Sequence, residues 1–93
     1  MKHAKLLFEM ASGWDFHETS LSRYNTTMRD YFVQLMITRY PIPEIAEAIG
    51  KHRTSIYASL KRFDLFYHLE KPYAKEFDEI QNRFYALEMA ETY

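Results

Sequence analysis

The sequence predicts an all-α fold, a compact bundle of four to five helices containing a helix-turn-helix over about residues 43–67. Three observations point there. Apolar residues recur at spacings of three and four along most of the chain, the period of one face of an α-helix. No alternating run of β-branched residues exceeds a few positions, so strand signals are absent. The two glycines and three prolines act as punctuation around the periodic segments, as residues that start and stop helices do.

The elements follow in order. Residues 2–11 read as a short helix with Ala4, Leu7, Phe8 and Ala11 on one side, stopped around Ser12-Gly13. Residues 14–24 lose the period and gain Ser and Thr, so they read as a loop with room for one helical turn; Trp14 and Phe16 are expected to pack over the bundle as core or lid. Asn25 or Thr26 can cap the next helix, which runs to about Arg39 with Met28, Tyr31, Phe32, Leu35 and Met36 on its apolar face. Pro41-Ile42-Pro43 breaks it, and Pro43 opens a short helix that Gly50 ends near Ile49. A longer helix then runs from about Arg53 to Tyr67 through Ile56, Leu60 and Phe63. Pro72 starts the last one, whose stripe Tyr73, Phe77, Ile80, Phe84, Leu87 is nearly a pure heptad. That stripe has two readings of equal standing: it completes the core, or it pairs with a second subunit or another protein partner.

Length sets the organisation. Ninety-three residues form a single domain, 1–93, with an N-terminal helix and loop (1–19), a helix-turn-helix core (20–67) and a C-terminal amphipathic helix (72–91). A chain this short needs a core dense in large side chains, and seven Phe, eight Tyr and one Trp supply it. The absence of cysteine excludes disulfides and thiolate metal sites. Glu9 cuts the apolar run Leu6-Leu7-Phe8 too early for a signal core, and no 18-residue apolar stretch occurs. The expectation is a cytoplasmic protein without membrane contact.

The net charge of −1 conceals a polarity. Residues 20–62 hold seven basic residues (Arg23, Arg29, Arg39, Lys51, Arg53, Lys61, Arg62) against three acidic, whereas residues 63–93 hold three basic against seven acidic. Such a division lets one face meet phosphate while the other stays in water.

The segment Ile42–Arg62 carries the functional signal. Two helices crossing closely need a small residue at the contact, which Ala46 provides, and a turn of positive φ, which Gly50 provides. Ile56 and Leu60 then anchor the second helix against Ile45 and Ile49. The residues left facing outward are what a groove-reading helix requires: Arg53 can donate a fork to a guanine edge, Thr54 and Tyr57 can bond bases or phosphates, and the small Ala58 lets the helix lie close. His52, Arg53, Thr54, Ser55, Tyr57, Ala58 and Lys61 are the base-reading candidates. Lys51 and Arg62 are phosphate candidates at the two ends.

At these residues the chain resembles the C-terminal, Trp-repressor-like DNA-binding domain of the bacterial replication initiator DnaA. The likeness runs from Ile42-Pro43-Glu44-Ile45-Ala46 through Ile49-Gly50-Lys51-His52-Arg53-Thr54-Ser55-Ile56. It extends upstream to Ser22-Arg23 and to Arg29, read as opening the preceding helix, and so covers roughly residues 20–87. The resemblance implies that Arg23 and Arg29 touch phosphate or the minor groove and that Lys51 to Ser55 read major-groove bases. The family's Asp-His pair is His52-Arg53 here, so its target sequence does not carry over, and its ATPase domain has no counterpart. Gly50 to Arg62 also resembles the helix-turn-helix of some insertion-element transposases. Both resemblances imply sequence-specific binding of double-stranded DNA, in replication control, transcription control or a mobile element.

The other chemistry-bearing residues point nowhere sharper. His3, His17, His52 and His68 lack metal-ligand spacing. Glu70, Glu76, Asp78, Glu79, Glu88 and Glu91 read as the solvated face of the last helix. With no phosphate loop and no nucleophile elbow, neither an enzyme nor a cofactor is expected. The rival reading is a helical protein–protein adaptor that docks through its acidic, aromatic C-terminal helix.

Overall fold

A computed structural model describes residues 1–16 and 22–91; His17 and the centre of the 14–24 loop lie outside the described residues. Five helices account for the fold: α1 (Lys2–Ser12), α2 (Arg23–Met36), α3 (Ile42–Ile49), α4 (Arg53–Leu69) and α5 (Lys71–Glu91). There is no strand among the described residues. The radius of gyration is 12.7 Å, close to the roughly 12 Å expected of a compact domain of this length. No helix is long and apolar enough to cross a membrane among the described residues.

α2 is the central rod. Met28, Tyr31, Phe32, Val33, Leu35 and Met36 are all buried, together with the polar Asn25 and Asp30, so the helix is enclosed on almost every side, as a core helix is. α4 packs against α2, α3 and α5, and α1 lies along α5. Two aromatic clusters fill the space between these layers. Phe8, Trp14, Phe16 and Phe32 meet on the α1–α2 side, with the Phe16 and Phe32 rings 4.8 Å apart edge to face. Tyr31, Phe63, Tyr73 and Phe77 meet between α2, α4 and α5, with the Phe63 and Phe77 rings 4.6 Å apart.

The start of α2 differs from the sequence expectation. Its cap is Ser22, whose hydroxyl accepts from the Asn25 N–H, and neither Asn25 nor Thr26 caps it. The Asn25 amide is committed elsewhere: its Oδ1 accepts from the Trp14 indole N–H at 2.8 Å inside the core. A buried indole donor must find a partner, and that demand outweighs the local capping preference. Arg23 therefore opens α2, and Arg29 lies two turns in rather than at its head. The helix also ends at Met36 instead of Arg39, after which the chain turns through Ile37–Arg39.

α3 and α4 are joined by a turn of three residues, 50–52. Gly50 takes φ 67° and ψ 34°, and the Lys51 N–H donates to the Ala46 carbonyl while the Gly50 N–H donates to that of Glu47. This is the paired closure of a Schellman motif. His52 then caps α4, its Nδ1 accepting from the Thr54 N–H at 3.2 Å. A Cβ built on Gly50 meets nothing within 4 Å, so only the left-handed backbone opposes a side chain there. Gly50→Ala is accordingly expected to lower the unfolding free energy by about 1–2 kcal/mol, measured by urea denaturation. A loss under a few tenths of a kcal/mol would show that the turn tolerates other backbone angles.

A single residue, Glu70, separates α4 from α5. Tyr73, Phe77, Ile80 and Phe84 are buried within the chain, and Leu87 packs against the same core. Burying each such side chain contributes about 1.5–3 kcal/mol, a sum comparable with the whole net stability of a small domain. The stripe is therefore core and does not lie open to a second subunit. The opposite face of α5 is also more than solvated surface. Glu88 pairs with Arg39 and Glu91 with His3, and Glu70, in the joint just before α5, pairs with Arg23. Glu76 accepts from the Tyr31 hydroxyl at 3.1 Å and Asp78 from that of Tyr67 at 3.0 Å. Burial and the Glu76 charge together push the Tyr31 phenol well above its usual range.

Candidate nucleic-acid interface

The orientation of α4 follows from its inward residues. Ile56, Ser59 and Phe63, stepping by three and four, are buried, which turns Arg53, Thr54, Tyr57, Ala58 and Lys61 to the opposite side. All five are exposed, Tyr57 to 53%. Lys51 and His52, in the turn, are exposed next to them. His52 spends its Nδ1 on capping and also meets the Thr54 hydroxyl at 3.1 Å, so only its other ring nitrogen faces outward. Ser55 departs from the expected base-reading row: it is half-buried on the flank of α4 toward α2.

Ion pairing sorts the seven cations of the middle segment. Arg23 is bound by Glu70, Arg39 by Glu88 and Arg62 by Asp30. The Glu88 hydrogen bond raises the Arg39 guanidinium pKa, and stacking over Phe84 and Tyr85 holds it further. Arg29, Lys51, Arg53 and Lys61 have no ion pair among the described residues. Arg23 and Arg62, both phosphate candidates, thus already have carboxylate partners, whereas the uncommitted charges are Arg29 on α2, Lys51 in the turn, and Arg53 and Lys61 in the first three turns of α4. An ion pair this exposed, such as Arg23–Glu70, contributes only about 0–1 kcal/mol and can be exchanged for a phosphate at little cost.

Beneath the outward face sits a polar node that joins α4 to α2. Asp30 is only 3% exposed. It accepts from Arg62 Nε at 2.9 Å and Nη2 at 3.0 Å, and from the Ser59 hydroxyl. Two residues on successive turns of α4 grip one carboxylate, which fixes both the roll of the helix and its height against α2. Burial and the Asp30 charge also raise the pKa of the enclosed Tyr73 phenol. Neither Asp30 nor Ser59 was singled out from sequence. The available signal was a lone acid within the otherwise apolar face of α2, followed immediately by Tyr31-Phe32-Val33, since a charge in such a place is paired.

The flank of this node opens into a cleft of about 240 Å³ lined by Thr26, Arg29, Asp30, Lys51, Ser55 and Arg62, among others. A second, larger cleft, about 540 Å³, lies between α1 and α3, where Lys2 and Lys5 share the walls with Glu44 and Glu47. The carboxylates of α3 thus have cations close at hand. No family model, curated protein or solved structure matches the chain.

Proposed function

We propose that α3, the 50–52 turn and α4 act as a helix-turn-helix and that the chain binds double-stranded DNA with α4 in the major groove. The observation that carries this reading is the outward side of α4 and its turn, where Lys51, Arg53 and Lys61 are exposed, with no ion pair among the described residues, beside Thr54, Tyr57 and the small Ala58. Arg53 leads the helix and supplies the fork for a guanine edge. Lys51 and Lys61 answer phosphates before and after it, and Tyr57 offers a hydroxyl on a rigid apolar arm. The likeness of Ile42–Ile56 to the DnaA domain supports the same ligand, and the transposase likeness of Gly50–Arg62 agrees.

The test is fluorescence anisotropy of the full chain on a pool of random duplexes between 50 and 200 mM salt. Four uncommitted cations, Arg29, Lys51, Arg53 and Lys61, predict a slope of log affinity against log salt of roughly −3 to −4, about a hundredfold loss across that range. Selection from the pool should then enrich one sequence. A chain that retains no duplex at 50 mM salt refutes this reading, while retention without enrichment reduces the function to non-specific coating.

A further inference from the structure

We infer that the cleft between α2 and the head of α4 is a binding site for a single phosphate group. It rests on the duplex-binding reading only for the source of that phosphate. The chemistry of the walls is one-sided. Among the described residues the one carboxylate lining it is Asp30, which is already answered by Arg62 through two hydrogen bonds. The charges left over are those of Arg29, half-buried, and Lys51, exposed, neither with an ion pair among the described residues. An uncompensated pair of cations in a partly enclosed space draws an anion of one or two charges.

The donors suit phosphate in particular. Arg29 brings a planar fork and Lys51 a compact point charge, the two complementary ways of holding a phosphate oxygen. Thr26 and Ser55, both half-buried, add hydroxyls from α2 and α4. Arg62 bonds Asp30 through Nε and Nη2, and its side chain is 42% exposed, so Nη1 can donate to a guest without leaving Asp30. The floor is rigid because Ser59 and Asp30 are buried and bonded to each other. The position is also apt. Ser55, Ser59 and Arg62 follow one another at spacings of four and three along the flank of α4, beside the outward row of Arg53, Tyr57 and Lys61. A helix lying in the major groove has a sugar–phosphate backbone along each flank, and this flank meets it with a pocket.

The experiment titrates the ¹⁵N-labelled full chain with inorganic phosphate against chloride at matched ionic strength. Saturable shifts confined to Thr26, the Arg29 Nε–H, Lys51 and Ser55 are expected. They should be lost in Arg29→Ala and weakened at least severalfold in Lys51→Ala, which alters only an exposed side chain, and be unchanged in Lys75→Ala. Phosphate and chloride acting alike, or shifts spread over every cation, would overturn the site whether or not the chain binds DNA. A duplex without terminal phosphates identifies the source. If it is the backbone, Arg29→Ala weakens all sequences by the same factor and lowers the salt slope by about one. If duplex affinity is unchanged, or no duplex binds at all, while the phosphate shifts persist, the cleft serves a terminal or free phosphate. In the case where no duplex binds, the helix-turn-helix reading falls and the cleft stands.

Discussion

Arg62→Ala is expected to cost about 2–3 kcal/mol of folding stability, more than Asp30→Asn costs at the other end of the same pair. Breaking a buried ion pair from one side leaves an uncompensated charge, typically a loss of 3–5 kcal/mol, and the figure is reduced here because the Arg62 side chain is 42% exposed. Water can therefore reach part of the space it leaves. Asp30 has no such relief, being 3% exposed with only the Ser59 hydroxyl left to hold it. Asp30→Asn removes the charge and keeps an acceptor for Ser59, while the freed guanidinium can turn to solvent. The double variant Arg62→Ala/Asp30→Asn should then be more stable than Arg62→Ala alone, because the second change deletes the stranded charge. Urea unfolding of the four proteins checks this. A double variant weaker than both singles, with additive losses, would mean that the two residues act separately and that α4 is not locked to α2 through them.

Arg53→Glu is expected to lower affinity for the selected duplex by a hundredfold or more, with a much smaller loss on random duplex. A bidentate arginine–guanine contact is worth about 1–3 kcal/mol of discrimination, and a carboxylate in its place adds repulsion from the phosphates. Arg53 is exposed and has no ion pair among the described residues, so stability should change by no more than about 0.5 kcal/mol and the binding loss can be read directly. Lys61→Ala supplies the contrast. As a phosphate contact it should weaken specific and random duplexes by the same few-fold factor and lower the salt slope by about one. Equal losses on both duplexes in both variants would refute the division between base reading and backbone positioning.

The parts of this molecule that were legible in sequence are those that local rules determine. The three-and-four spacing gave all five helices, and Gly50 could be placed as a turn because a left-handed residue there ends α3 and starts the approach to α4. The outward set Arg53, Thr54, Tyr57, Ala58, Lys61 followed from the inward set by geometry alone. What escaped was decided by partners distant in sequence. Asn25 looked like a cap until Trp14 claimed its side chain, and Arg62 looked free until Asp30, thirty-two residues away, accepted it. Glu70 and the acidic residues of α5 resembled a solvated face because their partners, Arg23, Tyr31 and Arg39, lie far earlier in the chain. The heptad stripe of Tyr73–Leu87 carried no mark to distinguish a core from a dimer seam, since both bury the same side chains.

The lone tryptophan gives the molecule an internal optical reporter. Trp14 is 4% exposed, stands edge-on to Phe8 and donates to Asn25, and none of these neighbours belongs to α3 or α4. Its emission should redden when α1 and Trp14 come away from the core, yet stay constant while the outward row of Arg53, Tyr57 and Lys61 engages nucleic acid. Unfolding and ligand capture can thus be followed in one cuvette at two wavelengths, without attaching a dye to the protein.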